Sequence, residues 1–405
     1  MSDLSVSLVM IPLLAVLAPV LAAVLGRVVK VPVIVFEIVL GILVGPSLLG
    51  WVHPTEFTTT LANFGLAMLF FMAGNEINFA AIKGRPLNRA GLGWLISLAA
   101  GIVIGILFAP TFEAGIFIGI ALCSTALGTI LPIIRDAGEL NTPFGRAVTA
   151  IGAVGEFGPL IAISLFLSGR NPGPSTVVLL VFAVVASLAI WLAARGSHKG
   201  LHRLVAATLH TSGQFAVRFV MLIVAALVML SLLLGLDMLL GAFAAGVLWR
   251  VLVARADPHA IEIVEMKLDG VAFGFLVPVF FINTGITFDL DALLSDPLAL
   301  ATVPLFAVLF LVVRGLPGLL AAPVGATKAD RRALLFFSAT ALPIIVAVTQ
   351  IGVDQKVLAS STAAALVGAG MLSVLLFPLI ALGHRKRSPE SPAYVPPPGE
   401  ADAAS

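Results

Sequence analysis

Glu156 is the residue around which the candidate chemistry of this chain is arranged. It lies near the middle of an apolar segment, residues 147–167, that is about as long as the ~20 residues a helix needs to cross a bilayer. A carboxylate at that depth costs roughly 2.5–3.5 kcal/mol on insertion scales, so it marks a functional site by default. We interpret Glu156 as a protonatable ion site, and the alternative is a structural pairing with a basic residue that locks two helices together.

Small residues and a proline surround this acid: Gly152, Gly155, Gly158 and Pro159. They are expected to leave space beside the carboxylate and to loosen the helix just after it.

Arg314 is the second residue with unusual chemistry, because it lies inside the apolar run Phe310–Gly315. A buried guanidinium must find an acidic or carbonyl partner, and Glu156 is the natural candidate. Three further acids lie in or near the ends of predicted helices, where they are expected to snorkel, cap or meet loop arginines: Glu37, Glu76 and Asp237.

Two other apolar segments carry hydroxyl residues beside glycine or proline, the pattern of a discontinuous helix. They are Leu122–Pro132 and Ser338–Pro343. Unwound backbone at membrane depth is tolerated only where it lines a cavity or packs in protein, and half-helix ends there can bind cations. An ordinary proline kink explains the pattern equally well. If the segments are unwound, oxygens near three residues are candidate ligands of a monovalent cation, since such ions prefer oxygen: Ser124, Thr125 and Thr340.

Composition places the chain among polytopic all-α membrane proteins, because 60% of its 405 residues are hydrophobic and only 11% are charged. The formal net charge of +2 is therefore a topology signal and does not indicate nucleic-acid binding. Cys123 is the only cysteine, which excludes a disulfide framework. The sequence lacks a P-loop, a zinc-protease motif and a nucleophile elbow, so we predict neither an enzyme nor a cofactor.

Thirteen apolar stretches, numbered here as spans 1 to 13, fall between residues 6 and 382. If the N-terminus is outside, twenty of the 23 Lys and Arg residues lie on the cytoplasmic side, while only Arg170 and Lys356 lie opposite. This asymmetry predicts a cell-membrane protein with its N-terminus outside and its C-terminus in the cytoplasm.

An internal repeat relates spans 1–6 to spans 8–13, with span 7 as a connector. Glu37 and Gly41 of span 2 resemble Asp237 and Gly241 of span 9. The pattern Phe70-x3-Gly74-x3-Asn78 of span 3 recurs in span 10 as Phe281-x3-Gly285-x3-Asp289. Because the offset is an odd number of spans, the two copies run in opposite directions, as in many secondary transporters. The repeat also pairs span 5 with span 12.

Two segments outside the spans have their own interpretation. A histidine cluster in the loop between spans 7 and 8 is conceivable as a pH sensor but is better explained as a solvated basic loop: His198, His202 and His210. Residues 384–405, basic and then rich in proline, are expected to form a disordered cytoplasmic tail.

Several stretches together resemble the bacterial monovalent cation:proton antiporter-2 family, within the sodium/proton exchanger superfamily. They are Val31–Pro46, Leu69–Glu76, Cys123–Ala126, Leu240–Gly246 and Pro278–Phe281. The resemblance implies a homodimer in the lipid bilayer, with a dimerisation part at about 1–80 and 214–290. It further implies an ion-transporting core at about 90–168 and 299–382, a linker helix at about 175–194, and crossed discontinuous spans 5 and 12 beside the ion-binding carboxylate.

The chain departs from this family at the ion site, where Gly155 replaces a polar residue before the acid. Glu156 remains as the acid and Arg314 fits the family's basic residue. We therefore expect exchange of Na+ or K+ for H+ by alternating access, with one carboxylate per site and hence electroneutral exchange. The alternatives are a potassium efflux channel, disfavoured because the family's nucleotide-binding regulatory domain is missing, and a Na+-coupled carrier of organic solutes.

Overall fold

A computed structural model of the chain describes residues 3–25, 31–77, 82–166, 172–195, 204–205, 208 and 213–388. In this part of the chain, eleven helices are long and apolar enough to cross a membrane. Two shorter apolar helices, Val33–Val44 and Met238–Val253, take the places of spans 2 and 9. The described residues are helical and contain no strand, so the predicted all-α fold class is confirmed.

The helices follow one another in the order of the predicted spans. Spans 5 and 12 are each interrupted by an unwound stretch, whereas spans 10 and 11 each continue through a π-helical turn. The helices are α1 Asp3–Leu25, α2 Val33–Val44, α3 Glu56–Glu76, α4 Arg85–Phe108, α5 Phe112–Leu122, α6 Leu127–Asp136, α7 Pro143–Phe166, α8 Pro172–Arg195, α9 Phe215–Leu233, α10 Met238–Val253, α11 Pro258–Val271, α12 Val277–Ile286, α13 Leu290–Ser295, α14 Pro297–Leu309, α15 Leu316–Gly318, α16 Lys328–Ala339, α17 Pro343–Asp354 and α18 Ser360–Arg385. Two π-helical turns, Ala272–Leu276 and Phe310–Gly315, join α11 to α12 and α14 to α15.

The helices differ sharply in how much apolar surface they expose. In α1 and α8 only 17% of the most apolar window is buried, whereas in span 5 the figure is 89%. Exposed apolar side chains such as Leu107 (76%) and Leu233 (72%) would be unfavourable in water. They are suited to contact with lipid, and span 5 belongs to a protein interior.

The chain divides into two compact units, Met1–Ile77 with Leu160–Phe288 and Asn78–Pro159 with Asp289–Ser405. The first, called unit 1 here, contains the predicted dimerisation part and the predicted linker helix. The second, unit 2, contains the predicted core, except that α7 beyond Pro159 falls in unit 1.

Two close helix crossings in unit 1 reveal the repeat. A Cβ atom at Gly74 of α3 would lie 2.2 Å from the carbonyl oxygen of Phe243 in α10. In the other repeat, a Cβ atom at Gly285 of α12 would lie 2.1 Å from the carbonyl oxygen of Ile38 in α2. No side chain fits in either place, so glycine is required at both crossings. This equivalence confirms the predicted match of Gly74 with Gly285.

The same crossings correct the predicted register of spans 2 and 9. Gly41 faces the carbonyl oxygen of Ile282, and Gly246, not Gly241, faces the corresponding carbonyl oxygen of Phe71. α2 and α10 also begin at the same distance before these two glycines. Gly241 instead packs against α9, where a Cβ atom would lie 2.4 Å from the Leu227 carbonyl oxygen. Gly241 and Gly246 lie close together in the same span, so the sequence alone favoured Gly241 as the equivalent of Gly41, which is wrong.

In unit 2, a buried ionic cluster joins the end of α18 to two other segments. Arg385 donates to both carboxylate oxygens of Glu139, at 2.7 and 3.0 Å, and also pairs with Asp330 of α16. Its guanidinium lies 4.5 Å from the ring centroid of Phe144. Ser388 beyond it is buried as well. The ordered chain therefore extends to at least Ser388, and the predicted start of a disordered tail at residue 384 is wrong.

The remaining predictions on segments outside the spans fall on residues that the structure does not describe. These are the rest of the predicted tail, residues 389–405, and the histidine cluster His198, His202 and His210.

Candidate functional site: the crossing of two broken helices

Spans 5 and 12, which the repeat pairs, are both interrupted, as the family resemblance implied. Span 5 is unwound between Leu122 and Leu127, and span 12 between Ala339 and Pro343. The two breaks meet, because the Ala126 N–H donates to the Thr340 carbonyl oxygen at 2.8 Å. The site therefore brings together four half-helix ends, whose N–H groups and carbonyls carry partial charges that favour ions.

Thr125 connects this crossing to three elements. Its N–H donates to the carbonyl oxygen of Gly155 in α7 at 2.9 Å. Its hydroxyl donates to the carbonyl oxygen of Ser338 at 2.7 Å and accepts a hydrogen bond from Arg314. Thr125 is 1% exposed, so all these bonds form inside protein.

Glu156 follows Gly155 directly in α7 and is buried, with 2% of its surface exposed. Its backbone position beside the break of span 5 is therefore fixed by the bond between Gly155 and Thr125. The expected loosening of the helix after the acid is not observed, since α7 continues through Pro159 to Phe166.

Arg314 is fully buried in the π-helical turn Phe310–Gly315. Its Nε atom donates to the Thr125 hydroxyl at 2.7 Å, and its Nη2 atom donates to the Ile151 carbonyl oxygen of α7, also at 2.7 Å. Arg314 thus finds a carbonyl partner, one of the two kinds expected, about one turn before the acid.

The space beside Gly155 and Gly158 is filled by side chains of other spans, and the sequence did not reveal which side chains these are. A Cβ atom at Gly155 would lie 2.5 Å from Arg314 Nη2 and 2.5 Å from Thr125 Oγ1. At Gly158 it would meet the ring of Trp94 at 2.3 Å. The Arg314 guanidinium and the Thr125 hydroxyl therefore occupy the space that a side chain at position 155 would need.

The candidate cation ligands lie at the crossing, with their hydroxyl hydrogens directed to backbone carbonyls. Ser124 donates to Ala121 at 2.8 Å, and Thr340 donates to Phe336 at 3.0 Å. A hydroxyl oxygen that donates its hydrogen retains lone pairs for a cation. No group of three or more His, Cys, Asp or Glu side chains suited to a metal occurs among the described residues. The candidate cation site therefore consists of the Glu156 carboxylate and the oxygen atoms of Ser124, Thr125 and Thr340.

The three further acids that were expected in or near helix ends all belong to unit 1. Asp237 caps α10 by accepting a hydrogen bond from the Leu239 N–H at 2.9 Å, as expected. Glu37 is buried in α2, and Glu76 ends α3.

Two broken, crossed helices in an inverted repeat, with a buried carboxylate and a buried guanidinium beside them, define the fold of a secondary transporter. The particular family follows from comparison with known proteins. The sodium/hydrogen exchanger family, a transmembrane family, matches residues 13–382, so this chain belongs to it. The predicted resemblance to cation/proton antiporters is thereby confirmed.

Relatives agree with this family, and a solved structure shares the fold. The chain is 26% identical to the putative Na+/H+ antiporter YjbQ of Bacillus subtilis and 27% identical to the Na+/H+-K+ antiporter GerN of Bacillus cereus. The matches cover 95% and 64% of this chain, and they span about two thirds of those relatives, 64% and 66%. The fold is similar to that of the sodium proton antiporter MjNhaP1 of Methanocaldococcus jannaschii, with a TM-score of 0.63 and 16% identity over 94% of this chain and 99% of that one.

Proposed function

We propose that this protein is a secondary active antiporter that exchanges a monovalent cation, Na+ or K+, for H+ by alternating access. The observation that carries the proposal is the burial of Glu156 directly after Gly155, whose carbonyl holds the break of span 5. A buried carboxylate that binds either a proton or a cation, but not both, couples the two gradients.

Each residue of the site has a separate role in this proposal. Glu156 binds the proton or the cation. Carbonyl and hydroxyl oxygens near Ser124, Thr125 and Thr340 complete the shell of the cation, which prefers oxygen ligands. Arg314 keeps its positive charge throughout, since a guanidinium is not deprotonated in proteins. It fixes Thr125 and α7 in place and offsets the negative charge of the carboxylate.

The choice between Na+ and K+ is left open by the names of the relatives, which mention both ions. The remaining features of the proposal follow from the family and from the pattern of basic residues. Unit 1 forms the contact of a homodimer, unit 2 moves the ion, and the protein lies in the cell membrane with its C-terminus in the cytoplasm. Its contribution to the cell is cytoplasmic pH and cation homeostasis, without a cofactor.

The test is cation-dependent proton flux in proteoliposomes that contain a pH dye, with Na+, K+, Li+ and Rb+ offered in turn. Glu156→Gln should abolish the flux while the protein still folds. Glu113→Gln is the matched control, because Glu113 is exposed in the first turn of α5. Unchanged exchange in Glu156→Gln would refute the proposal, and flux that does not saturate with cation concentration would indicate a channel.

A further inference from the structure

Ser373 of α18 lies beside the break of span 12, and its side chain is fully buried. Its hydroxyl oxygen accepts a hydrogen bond from the Ala341 N–H at 3.1 Å. It also lies 2.8 Å from the carbonyl oxygen of Ala341 and 2.7 Å from that of Gly370. A hydroxyl has one hydrogen and two lone pairs, so it donates to one of these carbonyls at a time while it accepts from Ala341.

Ala341 needs such a partner because it belongs to neither half of span 12. α16 ends at Ala339 and α17 begins at Pro343, and Ala341 is only 1% exposed. Buried backbone groups are nearly always paired, and an unpaired one is costly. Among the described residues, the single hydroxyl of Ser373 bonds both the N–H and the carbonyl of Ala341.

The first repeat solves the same problem in a different way. There the Thr125 N–H in the break of span 5 donates to a backbone carbonyl, that of Gly155 in the helix that follows. In the second repeat the helix that follows is α18, and it supplies a side-chain hydroxyl instead. The backbone acceptor in α7, Gly155, is next to Glu156 in the chain. The first repeat thus has the proposed ion-binding acid beside its break, and the second repeat has a structural hydroxyl there.

We propose that Ser373 is a positioning residue for cation binding. It holds Ala341, and therefore the neighbouring Thr340, whose carbonyl oxygen accepts the Ala126 N–H at 2.8 Å and so sets how the two broken spans cross. Without the hydroxyl, the backbone of Ala341 must move to find new partners, and the oxygens at the crossing move with it. This inference rests on the proposed function, since it assigns Ser373 to the binding of the exchanged cation.

The test compares Ser373→Ala with Ser97→Ala. Ser97 of α4 is also fully buried, but its hydroxyl donates to the Gly93 carbonyl of its own helix at 2.9 Å, so it is a matched control. In proteoliposomes, Ser373→Ala should raise the apparent KM for the cation about tenfold, the effect of one unpaired buried polar group, with a much smaller change in maximal rate. Ser97→Ala should leave KM within about twofold of the wild-type value. The Ser97 hydroxyl bonds only its own helix, so its removal leaves no backbone group of another segment without a partner.

A second measurement does not depend on transport. Amide hydrogen exchange of the peptide that contains Ala341 should be at least about tenfold faster in detergent-solubilised Ser373→Ala than in the wild type, because its N–H has lost its acceptor. If the wild type shows no cation-dependent flux, the proposed function fails, and the exchange rate still tests the role of Ser373. An unchanged KM or an unchanged exchange rate in Ser373→Ala, or an equal KM change in Ser97→Ala, would overturn the inference.

Discussion

Removal of Arg385 is expected to destabilise the protein far more than removal of Arg387, although the two residues lie in the same basic stretch. Arg385 is 3% exposed and bonds the carboxylates of Glu139 and Asp330, which are 1% and 2% exposed. Arg387 is exposed. Arg385→Ala therefore leaves two buried carboxylates without their shared cation, whereas Arg387→Ala removes a solvated charge.

The magnitude follows from the cost of removing one partner from a buried ion pair. Breaking a buried ion pair by removal of one partner costs about 3–5 kcal/mol, and here one arginine serves two acids. An exposed substitution stays within about 0.5 kcal/mol. The ring of Phe144 also loses its contact with the guanidinium that lies over its face. We expect the difference between the two variants to fall at or above the upper end of the first range.

Thermal unfolding in detergent at neutral pH measures this difference as a change in Tm. A third variant, Glu139→Gln/Asp330→Asn/Arg385→Met, removes all three charges and keeps similar side-chain volumes. It should recover most of the lost stability, because replacing a buried ionic group by neutral side chains is often neutral or better. Equal Tm values for Arg385→Ala and Arg387→Ala would refute the argument that the cluster is buried and paired.

Three further predictions test the site, the topology and the stoichiometry. Gly155→Ala should lower stability by about 1–3 kcal/mol and abolish exchange, since its methyl group would overlap Arg314 and Thr125; Gly91→Ala, which meets no atom within 4 Å, is the control for Tm and flux. A cysteine at the exposed residue Asn141 should react with an impermeant thiol reagent only from the cytoplasm, and one at exposed His53 only from outside; Cys123 is buried and should remain silent, and the reverse pattern would invert the topology. Because one carboxylate binds one H+ or one cation, a potassium–valinomycin potential should not shift the Na+ gradient at which flux reverses, although each 100 mV is worth about 2.3 kcal/mol per net charge moved. A shift with voltage would mean that more than one proton moves per cation.

The sequence predicted the fold well because membrane insertion leaves few choices. Apolar stretches of spanning length must be helices, and hydroxyl residues beside glycine or proline marked the two breaks correctly. The repeat was also evident from Gly74 and Gly285, which lie at equivalent backbone contacts. The register of Gly41 was not predictable, since the choice between Gly241 and Gly246 depends on which glycine meets a carbonyl oxygen of another helix.

The site was predicted in composition but not in detail. Glu156 and Arg314 were found because ionisable residues are rare in apolar segments. The partners of Arg314 were not found, since a threonine hydroxyl and a backbone carbonyl leave no distinctive signal in a sequence. Ser373 was missed for the same reason, as serine is common in membrane helices. Arg385 appeared to belong to a solvated tail because its two acids are distant in sequence.

The π-helical turn Phe310–Gly315 makes the direction of Arg314 a matter of backbone length. Such a turn accommodates one more residue than an α-helix over the same rise, and each residue of an α-helix rotates the next by about 100°. Deletion of one residue from this turn would let the helix become regular. The part of span 11 after the deletion would then be rotated by about 100° relative to the part before it. As a result, Arg314 and the rest of span 11 could not both keep their present neighbours. The arginine is therefore held at the crossing by an irregularity in the main chain.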